Sequence, residues 1–427
     1  MIQSYMGGPD VGETPKTAIF PLSLACLKAA LKEHEVRVFD ANLYYEPHQK
    51  LTQLLRGFSP DVVAISLRNI DSTNKLKSVF YYAYLKETLD VIKAGTDAKV
   101  VAGGAGFSIF AREIMVDEPR LDYGVFLEGE NVLPQLIDNL NEPHLVPSVF
   151  YRKDAQVCYT FSGAVPDFDT LPLPDRSEMT IELYSDGAVG VETKRGCPLG
   201  CVYCVYGFLN GKRLRLRSPG KVVDDIQHLV DDFGVKRITF VDSIFNMPLE
   251  HAEDICDELI DRRIEVKWSA WFTEKGLTRQ FVDLAVEAGC SNIIFSPDGF
   301  SNDCLRQLGK NIKMKDILNA YTIVRDLEGV EISYNFFKNP PGQSLDNFTS
   351  TLAFFIKAKA QMGNRVHFEF NTLRIEPHTR LYNLALSQGV IEATGNLLYP
   401  AYYSSPETAY TEKTFNTLLS LKKIALR

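Results

Sequence analysis

The apolar residues of the first 140 positions alternate between short continuous runs and stretches with a helical period. Runs at 36–39, 61–66, 99–102 and 123–126 are typical of buried strands. The intervening stretches at 19–31, 79–94 and 131–139 place apolar side chains on one helical face. Strands separated by helices predict an α/β domain over residues 1–140, with a parallel, doubly wound, Rossmann-like sheet. Only Met1–Tyr5 is available for a strand before Gly7-Gly8-Pro9, so the first strand is predicted to be short or the sequence to begin late.

Residues 141–188 lack a helical period and are interrupted by recurring prolines. Pro143, Pro147, Pro166, Pro172 and Pro174 predict an extended, proline-rich linker.

A second alternating region covers residues 189–384. Six predicted strands share this region, at 189–194, 237–241, 265–270, 292–295, 331–336 and 366–374. Five helical stretches separate them, at 219–233, 249–262, 278–288, 315–327 and 345–358. This pattern predicts a partial or full α/β barrel, whose site would lie at the carboxyl ends of its strands. Residues 385–427 predict a small C-terminal region that is polar and helical.

Composition and charge narrow the class of protein. The 427 residues, 45% of them hydrophobic, are enough for two or three packed domains. A net charge of −8 disfavours non-specific binding to nucleic acid or anionic membranes. No apolar stretch is as long as a membrane helix, and no basic-then-apolar signal peptide is visible at the start. A cytoplasmic protein without membrane or nucleic-acid partners is therefore expected.

Three of the eight cysteines form a compact motif directly after a predicted strand. Cys197, Cys201 and Cys204 are spaced CxxxCxxC, and thiolates are the usual ligands of iron–sulfur clusters. Three thiolates hold three irons of a [4Fe–4S] cluster and leave the fourth iron open. Structural zinc would need a fourth Cys or His nearby, and none lies close in sequence. The other five cysteines, in mostly apolar or helical surroundings, are expected to be small core residues.

The cysteine loop resembles the signature of the radical S-adenosylmethionine (SAM) superfamily, and the resemblance covers residues 189–384. It implies that SAM binds the open iron and is cleaved to a 5′-deoxyadenosyl radical. Tyr203, the aromatic residue before the last cysteine, fits that signature. Asp242 and Ser243 match the end of the second strand, which contacts the SAM amino group, although a helix N-cap signal explains them equally well. Ser296 matches the fourth strand, although the usual glycine–glutamate–serine pattern is replaced there.

An α/β domain ahead of such a barrel resembles the cobalamin-dependent radical SAM class. Its expected ligand residues lie at three strand ends, where ligands bind in doubly wound sheets. They are Ser66 and Asn69, then Gly103, Gly104, Ala105 and Gly106, then Glu128 and Gly129; ordinary loop residues are the alternative. The DxHxxG motif that supplies a cobalt ligand in methionine-synthase-like domains is absent from the sequence. Arg68 instead resembles the arginine beneath cobalt in the tryptophan C2-methyltransferase branch, although a solvated loop arginine has the same signal.

The resemblance implies three cofactors: a [4Fe–4S] cluster, SAM and cobalamin. It implies a methyltransferase that moves a methyl group from SAM through methylcobalamin to an unactivated carbon or, as in the P-methyltransferase branch, a phosphinate phosphorus. A cyclase or rearrangement enzyme with the same cofactors is one alternative. An N-terminal domain that has lost cobalamin and serves as an interaction module is another. The expected partners are a small-molecule or peptide substrate and a reductant such as flavodoxin or ferredoxin.

Overall fold

The computed structural model describes residues 1–6, 18–184, 187 and 189–425, with side chains as far as residue 418. Gly7-Gly8-Pro9, which bears on the expected short first strand, lies outside the described residues. The chain divides into two compact units. The first is Met1–Gly190 with Arg215–Arg217, and the second is Val191–Leu214 with Ser218–Arg427. None of the helices in the described part of the chain combines the length and apolar character needed to cross a membrane.

The first unit is built on a seven-stranded sheet. Its strands are β1 (Ile2–Gln3), β2 (Phe39–Asp40), β3 (Val62–Ser66), β4 (Lys99–Gly103), β5 (Tyr123–Val125), β6 (Val149–Lys153) and β7 (Gln156–Tyr159). They lie in the order β2-β1-β3-β4-β5-β6-β7. The first five are parallel, as predicted, and the short β1 lies between β2 and β3.

Helices connect the parallel strands of this unit. They are α1 (Leu22–Ala30), α2 (Pro47–Phe58), α3 (Tyr81–Gly95), α4 (Ala105–Ile109), α5 (Ala111–Asp117) and α6 (Val132–Asp138). Helix α2 was not expected from the sequence, because it buries only Leu51 and Leu55 and its apolar stripe is correspondingly narrow. Pro47 at its first turn and the left-handed Ser59 after its end mark its limits.

The stretch expected to be an extended linker instead continues the first sheet. Strands β6 and β7 form an antiparallel hairpin, and β6 pairs antiparallel with β5. The turn residues Asp154 and Ala155 have φ of 49° and 63°. Hairpin turns with two positive φ angles usually contain glycine or asparagine, so this turn carries only a weak sequence signal. The linker interpretation is therefore wrong for residues 149–159.

The second unit contains a six-stranded sheet in sequential order. Along the chain its strands are β8 (Gly190–Val191), β11 (Arg237–Phe240), β12 (Lys267–Phe272), β13 (Cys290–Asp298), β14 (Glu331–Phe337) and β15 (Val366–Asn371). Short strands outside this sheet are β9 (Lys194–Arg195), β16 (Leu373–Arg374) and β17 (Tyr402–Tyr403), while β10 (Arg215–Leu216) belongs to the first unit. The pairs from β11 to β15 are all parallel. This is the strand arrangement of the predicted partial α/β barrel.

Helices alternate with these strands and place the carboxyl ends of the strands at one edge. They are α7 (Tyr206–Leu209), α8 (Pro219–Phe233), α9 (Leu249–Asp261), α10 (Arg279–Glu287), α11 (Asn302–Gln307), α12 (Met314–Val324), α13 (Leu345–Met362), α14 (Arg380–Ser387) and α15 (Ala409–Ala425). Side chains of Thr278, Ser301 and Ser344 cap α10, α11 and α13 by accepting backbone N–H bonds. Trp268, Phe295 and Tyr334 fill the interior, all at most 1% exposed.

Candidate functional site

The three motif cysteines lie on one loop that follows β9. All three are free thiols of intermediate exposure. Gly196 opens the loop with φ of 98°, and a Cβ there would overlap the Arg213 carbonyl oxygen, so only glycine fits. The Cys197 N–H donates to the Gly211 carbonyl at 3.0 Å, which fixes the start of the loop.

Negative charge on the three thiols is mutually unfavourable. Burial raises the pKa of Cys204 to about 11, and Cys201 and Cys197 add to that rise. Three adjacent thiolates therefore need positive charge to balance them, which the irons of a cluster supply. Nowhere in the described residues do three His, Cys, Asp or Glu side chains converge tightly enough for one metal ion. The three cysteines fit an iron–sulfur cluster because they offer three sulfur ligands on a single loop.

Two distant segments hold the cysteine loop in place. The Val202 N–H donates to the Leu308 carbonyl at 2.9 Å, and the Leu381 N–H donates to the Val202 carbonyl at 2.8 Å. The Arg380 guanidinium donates to the Gly200 carbonyl. Both segments lie within residues 189–384, but neither was predicted to contact the cysteine loop.

Tyr203 points away from the loop toward the end of β13. Its hydroxyl donates to the Asp298 carboxylate, which also forms an ion pair with Lys310. The Lys310 ammonium donates to the Ser296 carbonyl at 2.7 Å, and the Ser296 hydroxyl accepts from Asn335 at 3.1 Å. Burial opposes the charge on Lys310, but Asp298 outweighs it, so the pKa of Lys310 lies well above its usual range. The structure thus links Tyr203 and Ser296, which were predicted as site residues. The link runs through Asp298 and Lys310, which were not predicted as site residues.

Asp242 is fully enclosed at the end of β11. Its carboxylate accepts the Thr193 N–H at 2.8 Å, the Thr193 hydroxyl at 2.6 Å and the Lys194 N–H at 3.2 Å. The Lys194 ammonium lies 3.6 Å away, and both side chains are at most 2% exposed. Asp242 therefore fixes the strand that leads into the cysteine loop. A contact with the SAM amino group stays a prediction, as it does for the half-buried Ser243.

A buried carboxyl that sequence reasoning missed follows β12. Glu274 is 3% exposed, and its Oε1 has no hydrogen-bond partner in the structure. Burial raises its pKa to about 7, while Lys310 opposes that rise and Asp298 adds to it. A lone glutamate between ordinary loop residues has no spacing signal, so only the fold reveals it.

The raised pKa of Glu274 predicts a pH-dependent cost to stability. Because the folded protein binds this proton more tightly than the unfolded chain, stability falls as pH rises from 4.5 through about 7. The loss is up to roughly 3 kcal/mol at 1.36 kcal/mol per pKa unit. Glu274→Gln should therefore unfold at higher urea than the wild type at pH 8. At pH 5 the two midpoints should be close, and equal differences at both pH values would contradict the assignment.

In the first unit, the predicted cobalamin residues gather at the carboxyl edge of the sheet. Ser66 is buried at the end of β3, whereas Arg68 and Asn69 are exposed just beyond it. Asn69 and Arg68 are thus accessible to a ligand at this edge, as predicted for such sheets.

The glycine run after β4 has a packing reason of its own. Gly104 has φ of 94°, and a Cβ there would lie 2.7 Å from the Leu67 carbonyl oxygen. A Cβ on Gly106 would lie 2.9 Å from the Asn69 backbone. A Cβ on Gly103 would meet only ordinary contacts at 3.6 Å, and Ala105 begins α4. Gly104 and Gly106 therefore allow the β4–α4 turn to pack on the segment that carries Arg68.

The residues predicted to bind cobalamin beyond the end of β5 contact other parts of the protein. The Glu128 carboxylate accepts two bonds from the Arg215 guanidinium, one of them at 3.0 Å. A Cβ on Gly129 would lie 3.0 Å from a Leu27 methyl carbon, so this turn passes close to α1. Direct contacts from Glu128 and Gly129 to cobalamin stay predictions.

Comparison with known families assigns both units. Residues 8–137 match the model of the B12 binding domain, and residues 191–355 match that of the Radical SAM superfamily. The chain joins a B12-binding domain to a radical SAM domain. The predicted enzyme class, the two-domain α/β fold and the cofactors of these domains are thereby confirmed. The free thiols of the radical SAM domain and the open sheet edge of the B12-binding domain fit those cofactors.

Two curated relatives match over most of this chain. An uncharacterized methyltransferase of Pyrococcus horikoshii is 23% identical over 379 residues, 87% of this chain and 79% of the relative. The anaerobic magnesium-protoporphyrin IX monomethyl ester cyclase of Cereibacter sphaeroides is 29% identical over 76% of this chain. The chain spans 54% of that cyclase's length.

Among solved structures, the radical SAM methyltransferase TsrM from Kitasatospora setae, with cobalamin and a [4Fe–4S] cluster bound, has the same fold. The TM-score is 0.78 at 20% identity, covering 97% of this chain and 80% of TsrM. This likeness extends over both units and supports the fold assignment.

Proposed function

We propose that this protein is a cobalamin-dependent radical SAM methyltransferase acting on an unactivated carbon or a phosphinate phosphorus. The observation that carries the proposal is the presence, in one chain, of a CxxxCxxC loop on a radical SAM domain and a B12-binding domain. The methyltransferase of Pyrococcus horikoshii and TsrM support methyl transfer. A small-molecule or peptide substrate and an external electron donor, such as flavodoxin or ferredoxin, belong to the same proposal.

The cofactors supply the radical and methyl-carrying chemistry when they are bound. The protein's part is to bind and orient them. Cys197, Cys201 and Cys204 provide the three thiolates, and the loop contacts from Leu308 and Arg380 hold them at fixed positions. Asp242 fixes the strand before the loop through Thr193. Each of these contacts is backbone-based or buried, so the cysteine loop is preorganised for its ligand.

Arg68 gives this proposal a spectroscopic prediction. In the proposed function this exposed arginine would lie beside the bound cobalamin, where its positive charge would tune the reactivity of the cobalt. Arg68→Leu should therefore change the visible absorption spectrum of the bound cobalamin while the protein keeps its cobalt. Arg56→Leu, which removes an exposed arginine on α2, is the control and should leave the spectrum unchanged. An unchanged spectrum in Arg68→Leu would show that the cobalt lies elsewhere.

Methyl transfer is tested by following the methyl group of SAM. The protein is incubated anaerobically with reductant, cobalamin and SAM carrying a labelled methyl, together with fractions of a cell extract. Label in a product whose mass has grown by one methylene unit supports the proposal. Label that never leaves SAM, from protein loaded with iron and cobalt, would contradict it.

Ring formation is the second candidate, because the cyclase of Cereibacter sphaeroides has the highest identity of the two relatives described. The same incubation separates the two functions. A cyclase would convert its substrate without gaining carbon from the labelled methyl, whereas a methyltransferase retains the label in its product.

A further inference from the structure

Two side-chain contacts converge on Asp298 behind the cysteine loop. The Tyr203 hydroxyl donates to its carboxylate, and the Lys310 ammonium forms an ion pair with the same oxygen. Asp298 also holds φ of 65°, a left-handed conformation that is uncommon for residues other than glycine, although asparagine and aspartate adopt it more often than most. Such backbone strain persists only where the surroundings fix the residue.

The ion pair is shielded from water. The side chains of Lys310 and Asp298 are 10% and 4% exposed. Burying two charges is costly, and a hydrophobic pair of similar volume would often be at least as stable. General stability is therefore a weak explanation for this pair.

The position of the Asp298–Lys310 pair, close to the cysteine loop, indicates an electrostatic role instead. Tyr203 lies between Cys201 and Cys204 in the sequence, and its hydroxyl donates to the Asp298 carboxylate. The Lys310 ammonium lies 5.5 Å from the centre of the Tyr203 ring. Both charges therefore act electrostatically on the atoms that would bind the cluster.

We propose that Asp298 and Lys310 are positioning residues that set the reduction potential of the cluster, with Asp298 neutralising the cation that Lys310 places beside the cysteine loop. Reduction adds negative charge to the cluster, and a nearby unbalanced cation makes that step easier. The neutral pair thus keeps the potential low, which a strongly reducing reaction requires. This inference rests on the proposed cluster.

The test is a redox titration of the cluster, followed by electron paramagnetic resonance without SAM. Asp298→Asn keeps the side-chain shape and tolerates the left-handed backbone, but leaves Lys310 unbalanced. Its potential should shift to a more positive value. The double variant Asp298→Asn with Lys310→Met removes the whole neutral pair, so its potential should return toward that of the wild type. This reversal is a coupling that a double-mutant cycle detects.

One single variant serves as a control. Lys310→Arg keeps the cation, so its cluster should titrate close to that of the wild type. If Asp298→Asn loses its iron, Asp298→Gly replaces it, because glycine favours φ of 65° and also removes the carboxylate.

The outcomes separate this inference from the proposed function. Wild-type protein without a four-iron cluster would overturn the proposed function itself. An intact cluster whose potential is the same in the wild type, Asp298→Asn and the double variant would overturn only the electrostatic role of the pair. A positive shift in Asp298→Asn that the double variant reverses would support it.

Discussion

Replacing Cys201 with alanine is expected to abolish both cluster binding and SAM cleavage. With one of three thiolates gone, two ligands remain on the loop, too few to hold three irons. Iron and sulfide should fall to background, and no 5′-deoxyadenosine should form with dithionite and SAM.

The matched control for this variant is Cys256→Ala. Cys256 is fully buried on α9 and lies outside the motif, so its loss removes a thiol without touching the loop. It should cost some stability by leaving a small cavity, but iron and SAM cleavage should stay near wild type. Retained cleavage in Cys201→Ala, or equal iron loss in both variants, would contradict the assignment of the three ligands.

Gly309→Ala is expected to dislodge the cysteine loop without altering any cluster ligand. Gly309 has φ of 68°, and a Cβ there would overlap the Gly200 carbonyl oxygen and lie 2.7 Å from the Arg380 guanidinium. Both atoms belong to the contacts that position the loop. The loop must shift to relieve the clash, so iron content should fall severalfold and SAM cleavage with it.

Gly234→Ala is the control that separates the steric clash at Gly309 from the cost of placing alanine in a left-handed conformation. Gly234 has φ of 62° at the end of α8, and a Cβ there would meet nothing within 4 Å. Both variants should lose about 1–2 kcal/mol of stability, because alanine disfavours the left-handed conformation. Only the new methyl group of Gly309→Ala clashes with the cysteine loop. Normal iron in Gly309→Ala would show that the loop does not depend on this close approach.

The regular parts of both units followed from the sequence because they have strong periodic patterns. The parallel strands β3 and β4 and helices such as α8 combine apolar runs with clear end signals. The β6–β7 hairpin and α2 were missed for local reasons. The hairpin turn has positive φ without glycine, and α2 buries few apolar residues.

The cluster ligands could be predicted because three cysteines on one loop are adjacent in sequence. The residues behind them could not, since Asp298, Lys310 and Glu274 come from separate turns that only the fold brings together. The structure also changes the meaning of residues that were recognised. Asp242 accepts a hydrogen bond from Thr193, and Gly104 packs closely on Leu67, so each also has a structural role, while their contacts with cofactors stay predictions.

Anaerobic purification followed by iron, sulfide and cobalt analysis is the most direct test of whether this protein is a cobalamin-dependent radical SAM enzyme. We expect about four irons per chain, as a [4Fe–4S] cluster requires, with matching sulfide and one cobalt after reconstitution with hydroxocobalamin. Four irons without cobalt would leave a radical SAM enzyme but contradict the proposed methyl transfer through cobalamin. Protein that binds neither iron nor cobalt would contradict both cofactor assignments.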